Sequence, residues 1–456
     1  MSFATDSIVA LSTPPGRGGI GVIRVSGPDA LAFLRKITGE ESSDPQPNCL
    51  TLHTLIDPFS GEALDQALTC FFKAPHSFTG EDVVEFHCHG SPVLLRRIVD
   101  TILRLDARLA NPGEFSLRAV MNGRMQLAQA EAIRDLIDAQ TDAAAQQATR
   151  QLSGEISHRL QPAKEQLLKI IVRLESSLEF VEDDLPQVEQ QEIDHALAAL
   201  RGDLQSLAST FARGRLLHEG LKVSLVGRPN AGKSSLFNSL VGHERAIVTD
   251  IPGTTRDTIS EPIALDGVPV TLIDTAGIRK TFDEIETMGV ERTRRTASDS
   301  DMLVVVIDGS QPLNEEDGLV LESATGKPHV IALNKRDLQT FSATQPADAF
   351  SSSPTVSVSA VTLEGLVDLK VAILKPFMNG NGASEGLMIT NARHHDLLVR
   401  AERAIESSQR LVRERASEEI VLVGLHNALK LLGQITGETT TEEMLGQIFS
   451  TFCIGK

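Results

Sequence analysis

The sequence Gly-Arg-Pro-Asn-Ala-Gly-Lys-Ser-Ser occupies residues 227–235 and directly follows the apolar run 221–226. It matches the phosphate-loop pattern G-x-x-x-x-G-K-[ST], in which glycines let backbone N–H groups close around a phosphate at the start of a helix. Lys233 can reach the β- and γ-phosphates, and the hydroxyl of Ser234 can ligate Mg²⁺. The stretch therefore predicts a strand, a phosphate-binding turn and a helix within a nucleotide-binding α/β domain.

Further motifs follow the phosphate loop in the order and spacing of a GTPase. They are Asp-Ile-Pro-Gly-Thr-Thr-Arg-Asp at 250–257, Asp-Thr-Ala-Gly at 274–277 and Asn-Lys-Arg-Asp at 334–337. The carboxylate of Asp337 can accept two hydrogen bonds, from N1–H and from the 2-amino group of guanine, which adenine does not offer. Ser359 and Ala360 follow a short apolar strand and are expected to supply a backbone contact to the guanine oxygen. The sequence therefore predicts GTP as the nucleotide.

A magnesium ion is expected beside the phosphates. Thr255 lies in the segment 250–257, called the first switch, and can bind the ion when the γ-phosphate is present. Asp274 can hold the coordination shell of the ion through water. Gly277 can donate its N–H to the γ-phosphate. The predicted Mg²⁺ ligands are Ser234 and Thr255. The predicted GTP-binding residues are Asn230, Ala231, Gly232, Lys233, Ser234, Ser235, Thr249, Asp250, Ile251, Pro252, Gly253, Thr254, Thr255, Asp274, Thr275, Ala276, Gly277, Asn334, Lys335, Asp337, Ser359 and Ala360.

The group that activates water is less evident. Ile278 follows Asp-Thr-Ala-Gly, and its apolar side chain cannot orient a water molecule. Glu284 and Glu286 come next and either carboxylate could do so, although a loop glutamate is more often a solvated charge. Arg256 is a candidate arginine finger, but a switch arginine is often only a surface residue. Alternatively, Asn230 and carbonyls of the first switch could coordinate a monovalent cation that stabilises the developing charge.

Composition and charge limit the class of protein. With 456 residues, 41% of them hydrophobic, the chain should form two or three domains with their own cores. Its net charge of −18 disfavours nonspecific RNA binding by the whole surface, so any RNA contact needs a local basic patch or a basic partner. Its four cysteines lack C-x-x-C spacing, which argues against a zinc knuckle. No long apolar run or signal peptide is visible, so we expect a cytoplasmic protein without membrane contact.

The pattern along the chain predicts a multidomain protein of α/β and all-α parts. Strands and helices mix over 1–120, whereas 121–217 and 379–456 show leucines at helical spacing. Pro162 and Pro186 are expected to interrupt or bound these helices. Because helices flank the nucleotide domain on both sides, we predict a Ras-like P-loop GTPase domain, residues 218–378, inserted into a helical bundle domain made of two segments.

The chain resembles the MnmE (TrmE) family of bacterial tRNA modification GTPases over essentially its whole length. Besides the GTPase motifs, the resemblance is carried by Thr-Pro-Pro-Gly-Arg-Gly-Gly at 13–19, Phe-Thr-Gly-Glu-Asp at 78–82, Asn-Pro-Gly-Glu-Phe-Ser at 111–116, Leu-Ala-Gln-Ala-Glu-Ala at 127–132 and Phe-Cys-Ile-Gly-Lys at 452–456. It implies a GTP-hydrolysing enzyme that works with the flavoprotein MnmG. Together the two would add a carboxymethylaminomethyl-type group at C5 of the wobble uridine, U34, of certain tRNAs. It also implies a homodimer formed through the N-terminal domain and a heterotetramer with MnmG.

The resemblance further assigns residues and cofactors. It implies that the N-terminal domain binds 5-formyl- or methylene-tetrahydrofolate through Arg24, Glu85, Arg124 and Lys456, although the family commonly has lysine at the position of Arg124. It implies K⁺ on Asn230, Thr249, Ile251 and Thr254, and catalytic roles for Glu286 and Cys453. Taken alone, Cys453 is equally consistent with a buried small residue and, beside Lys456, with a reactive thiolate.

On sequence alone, Arg24 and Glu85 are ordinary strand residues, and His-Cys-His at 87–89 is only a weak metal pattern. Two other functions remain open. One is a GTPase switch in ribosome or RNA assembly, which predicts a basic RNA-binding appendage that the charge of −18 disfavours. The other is a folate-dependent aminomethyltransferase that has acquired a GTPase domain.

Overall fold

A computed structural model describes residues 6–40, 42, 44–179, 187–244, 259–274, 300–342, 353–377 and 386–455. The chain divides into two compact units. The first unit comprises Met1–Arg134, Gln151–Gln161 and Leu429–Lys456, and the second comprises Asp135–Arg150 and Pro162–Ala428. Within the described ranges, no helix combines the length and the apolar character that a membrane span requires.

The strands and helices of these ranges follow in chain order. The strands are β1 (Ile8–Leu11), β2 (Ile20–Ser26), β3 (Leu50–Ile56), β4 (Ala63–Phe72), β5 (Val83–His89), β6 (Arg108–Leu109), β7 (Leu221–Val226), β8 (Ile259–Leu265), β9 (Val268–Asp274), β10 (Met302–Asp308), β11 (His329–Asn334) and β12 (Thr355–Ser357). The helices are α1 (Ala30–Thr38), α2 (Pro92–Leu103), α3 (Glu114–Met121), α4 (Leu127–Asp138), α5 (Asp142–Leu152), α6 (Glu155–Glu179), α7 (Gln187–Ser209), α8 (Phe211–Glu219), α9 (Lys233–Glu244), α10 (Glu315–Ala324), α11 (Leu366–Leu374), α12 (Ala392–Arg413), α13 (Glu418–Thr436) and α14 (Glu442–Phe449).

The first unit is built on a six-stranded sheet with the strand order β3-β4-β5-β2-β1-β6. Its strands pair antiparallel except for β1 and β6, which are parallel. Alternation along β5 buries Val84, Phe86 and Cys88 in a core shared with α1 and α2, and turns Glu85 and His87 to the opposite face. The sheet therefore has one apolar face and one face that carries polar side chains.

The second unit contains a six-stranded sheet with the order β12-β11-β10-β7-β9-β8. All neighbours are parallel except β8 and β9. Every residue of β10 is buried, as expected for a central strand with both faces covered. In such a sheet the carboxyl ends of the parallel strands lie at one edge, where ligands bind. This confirms the predicted α/β class of the nucleotide domain.

Helices from both sides of the nucleotide domain in the sequence pack together in the second unit. Gln409 of α12 donates to the Asp194 side chain of α7 at 2.9 Å, and Arg413 binds the same carboxylate at 2.7 Å. The expected interruption at Pro162 is wrong, because α6 continues through it. Proline removes a hydrogen bond to the residue four positions earlier, but His158 and Pro162 are both exposed, so the freed carbonyl lies on the solvent side.

Candidate nucleotide site and a polar cluster on the N-terminal sheet

The phosphate loop lies between the end of β7 and the start of α9. Gly227 has φ +155° and Gly232 has φ +95°, conformations that residues with a side chain rarely adopt. A Cβ on Gly227 would collide with the carbonyl oxygen of Val306, and one on Gly232 would collide with the amide nitrogen of Asn334. Both glycines are therefore required by the close approach of β10 and of the last residue of β11.

Lys233 begins α9 and its side chain folds back over the loop. The Nζ atom donates to the carbonyl oxygens of Gly227 and Arg228, both at 2.8 Å, and only 8% of the residue is exposed. Asn230 is exposed at the tip of the loop with φ +64°, which asparagine tolerates better than most residues. The loop therefore holds one ammonium group against its backbone and presents one amide side chain at its surface.

The side chain of Asn334 connects two parts of the site. Its Nδ2 atom donates to the carbonyl oxygen of Ala231 at 3.1 Å, and its Oδ1 atom accepts from the backbone N–H of Ala360 at 3.1 Å. Only 2% of Asn334 is exposed, so both hydrogen bonds are shielded from water. One amide thus joins the phosphate loop to the loop predicted to contact guanine.

Asp337 lies beside that second loop. Its Oδ1 atom accepts from the hydroxyl of Ser359 at 2.6 Å, and the same hydroxyl accepts from the N–H groups of Val361 and Thr362. These bonds fix the orientation of the carboxylate that is predicted to read the base.

Asp308, which the sequence reasoning missed, supports Lys335. The two residues form an ion pair of 2.6 Å, and the Asp308 side chain is 3% exposed. Burial alone would raise the pKa of Asp308, but hydrogen bonds from Lys335 and Ser310 outweigh it and hold that pKa below its usual value. Its place as the last residue of the apolar run of β10 was the available sequence signal.

A second missed contact anchors the phosphate loop from outside. Arg228 forms an ion pair of 3.2 Å with Asp317, of which 2% is exposed, in the first turn of α10. Asp317 also accepts from the backbone N–H of Asn314 in the capping box of that helix.

The described magnesium candidates lie at the same sheet edge. Asp274 is the last residue of β9, is 3% exposed, and pairs in register with Leu225 near the end of β7. Ser234 lies in the first turn of α9. Other predicted residues lie outside the described ranges: Thr249, Asp250, Ile251, Pro252, Gly253, Thr254, Thr255, Arg256, Thr275, Ala276, Gly277, Glu284, Glu286 and Lys456.

On the N-terminal sheet, Arg24 and Glu85 lie directly opposite each other on β2 and β5. The Nε and Nη2 atoms of Arg24 both donate to Oε1 of Glu85, at 2.9 and 2.8 Å. The other carboxylate oxygen lies 3.2 Å from Nε2 of His87. The guanidinium also lies 5.3 Å from the ring centre of Phe78. The two predicted residues therefore form one half-buried polar cluster.

The C-terminal segment reaches this cluster. Gly455 accepts from Nη1 of Arg24 at 3.4 Å and from the hydroxyl of Ser12 at 3.2 Å, while the carbonyl of Cys453 accepts from the N–H of Gly113 at 3.2 Å. Cys453 itself is exposed. Arg124 instead donates to the carbonyl oxygen of Ser77 at 3.1 Å, and no hydrogen bond between it and Arg24 or Glu85 is seen among the described residues.

The weak metal pattern at 87–89 is not supported within the described part of the chain, where no cluster of metal-ligating side chains occurs. Cys88 faces the core, and burial raises the pKa of its thiol to about 12. His89 instead binds the carboxylate of Asp65 at 2.7 Å.

The glycine-dependent phosphate loop and the Asn-Lys-Arg-Asp segment meet at one edge of the second unit's sheet. These features together define a P-loop GTPase. Two family models match: the MnmE helical domain over residues 127–453, and the GTP-binding protein TrmE N-terminus over residues 7–124. The chain belongs to the MnmE family of tRNA modification GTPases.

Relatives match the chain over its whole length. The tRNA modification GTPase MnmE of Koribacter versatilis is 44% identical and covers 99% of both chains. The protein of that name from Aquifex aeolicus is 42% identical, over 99% of this chain and 100% of its own. Among solved structures, the G domain of the T. maritima FeoB iron transporter matches 34% of this chain and 97% of its own, at 29% identity and a TM-score of 0.27.

Proposed function

We propose that this protein hydrolyses GTP in a cycle that drives modification of tRNA. In that cycle it acts with MnmG to add a carboxymethylaminomethyl-type group at C5 of the wobble uridine of certain tRNAs. The observation that carries the GTPase part is the buried amide of Asn334, which joins the phosphate loop to the guanine loop. Membership of the MnmE family supports the tRNA part. A cytoplasmic location fits this substrate.

In the proposed reaction, Lys233 neutralises charge on the β- and γ-phosphates. Ser234 and Thr255 would ligate Mg²⁺, and Asp274 would hold the ion through water. The fit of Mg²⁺ is supported by a hydroxyl and a buried carboxylate at the sheet edge that holds the phosphate loop. Bound there, the ion would neutralise charge on the phosphate oxygens.

For the step that activates water, we propose Glu286 as the group that orients it and K⁺ in place of an arginine finger. The exposed amide of Asn230 fits an ion contact. Thr249, Ile251 and Thr254 are the other proposed ligands of the ion. Hydrolysis should then be faster in potassium than in sodium at equal ionic strength. The Glu286→Ala substitution should slow hydrolysis by about 10²-fold while GTP affinity is kept. Equal rates of hydrolysis in the two salts would contradict the proposed role of K⁺. Unchanged GTP hydrolysis by Glu286→Ala would assign the orientation of water to Glu284 instead.

For the polar cluster of the first unit, we propose a binding site for 5-formyl- or methylene-tetrahydrofolate. The residues present fit the pterin end of such a ligand, because a carboxylate can accept from its amino and ring N–H groups and the paired guanidinium holds that carboxylate in place. Arg24 and Glu85 would form this contact, and the family resemblance adds Arg124 and Lys456 to the proposed folate-binding residues. When bound, the folate would supply a one-carbon unit. Cys453 is proposed as a catalytic residue on the adjoining C-terminal segment.

A homodimer is the proposed assembly, and a heterotetramer with MnmG is the proposed complex. Support for the dimer comes from apolar side chains on the face of the N-terminal sheet that carries Arg24. Leu50, Leu52 and Leu68 of β3 and β4 are 58%, 64% and 42% exposed, and Ile20 of β2 is 66% exposed. Exposed apolar side chains grouped on one sheet face are typical of a protein interaction surface.

The deciding experiment is mass spectrometry of tRNA nucleosides from cells lacking the gene, complemented with the intact gene, a Lys233→Ala copy or a Lys222→Ala copy. Lys222 is exposed on β7, so its copy is a matched control. We expect the 5-substituted wobble uridine to be lost in the uncomplemented and Lys233→Ala strains and restored in the other two. Normal nucleosides in every strain would contradict the proposal and favour a GTPase switch in ribosome or RNA assembly.

A further inference from the structure

His87 adjoins Glu85 on the polar face of the N-terminal sheet, two residues further along β5. Its direct neighbours on the flanking strands are apolar, namely Val22 of β2 and Leu68 of β4. The side chain of His87 is 29% exposed, and that of Glu85 is 16% exposed. The imidazole ring is therefore a half-buried polar group whose polar contact is Glu85.

The two carboxylate oxygens of Glu85 have different partners. Oε1 accepts from Nε and Nη2 of Arg24, at 2.9 and 2.8 Å, whereas Oε2 lies 3.2 Å from Nε2 of His87. Within the described ranges, no other hydrogen bond to this side chain is seen. Because both donors of Arg24 bind one oxygen, they leave the second oxygen to be oriented by His87.

The contact also assigns the hydrogen atom of the imidazole ring. An ionised carboxylate accepts hydrogen bonds and has none to donate, so Nε2 of His87 carries the hydrogen and donates it to Oε2. Glu85 thus has a donor at each of its two oxygens, a guanidinium at one and an imidazole at the other.

The number of acceptor sites shows where a ligand can bind this carboxylate. An ionised carboxylate has about four such sites, two on each oxygen. Arg24 occupies both sites on Oε1, and His87 occupies one on Oε2. One site on Oε2 is left for an N–H group of a ligand. The oxygen that would bind the ligand is therefore the one that His87 orients.

A role in stability alone explains this arrangement less well. His89, two residues further along β5, binds Asp65 at 2.7 Å with a side chain that is 72% exposed, and exposed pairs of this kind contribute little. The contact of His87 is more shielded from water, and its carboxylate is already neutralised by Arg24. A second donor on a paired carboxylate adds little charge compensation, but it fixes a direction, which a ligand-binding group requires.

We propose that His87 is a positioning residue of the folate site, which orients Oε2 of Glu85 toward an N–H group of the pterin ring. The proposal rests on the proposed function, which places a reduced folate at this cluster. The amino and ring N–H groups of a pterin lie in one plane, so an acceptor that already points along that plane avoids an ordering cost on binding. His87 supplies the orientation, and Arg24 supplies the neutralising charge.

The test compares three single variants of the full-length chain by isothermal titration calorimetry with 5-formyltetrahydrofolate. His87→Phe keeps a ring but removes the donor, so affinity should fall about tenfold. His87→Gln keeps an N–H donor and should retain most of the affinity. His89→Phe makes the same change at the exposed neighbouring histidine and is the matched control, for which we expect unchanged affinity. Thermal unfolding by circular dichroism checks that every variant remains folded.

A double-variant cycle shows whether His87 acts through the carboxylate. In the Glu85→Gln background, His87→Phe should cause a further loss of about twofold or less, because the group that it positions is already gone. A full tenfold loss in that background would overturn the proposal.

Two results with the single variants would also overturn it. One is equal affinity of His87→Phe and the His89→Phe control, and the other is a His87→Gln variant that binds as weakly as His87→Phe. Failure of the proposed function is distinguishable from these results, because the unaltered protein would then not bind 5-formyltetrahydrofolate at all, which would overturn both the folate site and the role of His87.

Discussion

The nucleotide sheet and the N-terminal sheet each have six strands, yet they position functional side chains differently. In the mostly parallel sheet, the predicted GTP-site residues lie in short continuous motifs at or after the ends of β7, β9 and β11, at one edge. In the mostly antiparallel sheet, Arg24 and Glu85 are 61 residues apart and meet only through strand register. Gly455 joins them from 431 residues away from Arg24. Sites at the ends of parallel strands can be recognised from local sequence. A site on the face of a sheet instead depends on which strands pair and in which register.

The largest effect is expected at Asp337, because GTP affinity at a site formed by a continuous motif should depend on the residues of that motif. Asp337→Asn should lower GTP affinity by about 10³-fold, since an amide cannot accept both guanine hydrogen bonds. Xanthosine triphosphate, which presents a carbonyl where guanine has an amino group, should recover binding. Titration with fluorescent nucleotides measures both affinities. Unchanged GTP binding would show that the base is read elsewhere.

The second test asks whether the cluster assembled by register forms one binding site. Arg24→Ala should weaken binding of a reduced folate by about 10²-fold, because a charge-assisted pair is lost and Glu85 loses its partner. Isothermal titration calorimetry gives the affinity, with Arg96→Ala on α2 as the control. Equal affinity in Arg24→Ala and the control would remove the folate assignment.

The third test concerns stability of the first unit. Glu114 is 6% exposed and binds Arg108, Arg118 at 3.0 Å and the N–H of Asn111 at 2.8 Å. Burial would raise the pKa of Glu114, but these hydrogen bonds hold that pKa below its usual value. Because the folded pKa is lowered, the stabilisation is present above the unfolded pKa and is lost as pH falls through the folded one.

Glu114→Gln should therefore reduce the free energy of unfolding by about 2 kcal/mol at neutral pH, and the difference from the unaltered protein should shrink below about pH 4.5. Denaturant titrations at several pH values measure it. Glu62→Gln, which alters an exposed pair with Arg97, should change nothing measurable. A difference for Glu114→Gln that is independent of pH would mean that its charge is irrelevant.

The smallest effect is expected at Asp308, where the nucleotide site depends on a residue outside its motifs. Asp308→Asn keeps the shape of the side chain but removes the charge that holds Lys335, so GTP affinity should fall about tenfold. Asp301→Asn, at the opposite end of β10, is the control. Fluorescent-nucleotide titration compares the two. Identical GTP affinities of the two variants would show that the Asn-Lys-Arg-Asp motif binds GTP without help from Asp308.

The sequence predicted the nucleotide domain well because its glycines and polar residues act where they stand in the chain. Gly227 and Gly232 were recognised from spacing, and the structure adds that Val306 and Asn334 exclude a side chain there. Pro162 was misjudged because the rule for proline ignores where the freed carbonyl points. Asp308 was missed because one aspartate after an apolar run has no distinctive pattern.

The sequence by itself determined the GTPase class, the preference for guanine and the resemblance to the MnmE family, since each depends on short runs of residues whose chemistry is local. Tertiary structure alone decided that Arg24, Glu85 and Gly455 meet, that Asp308 holds Lys335, and that Glu402 and Glu406 of α12 bind Arg201 of α7. Those contacts join residues far apart in the chain. They depend on strand register and helix packing, which are set by burial of the apolar faces and which no single segment encodes.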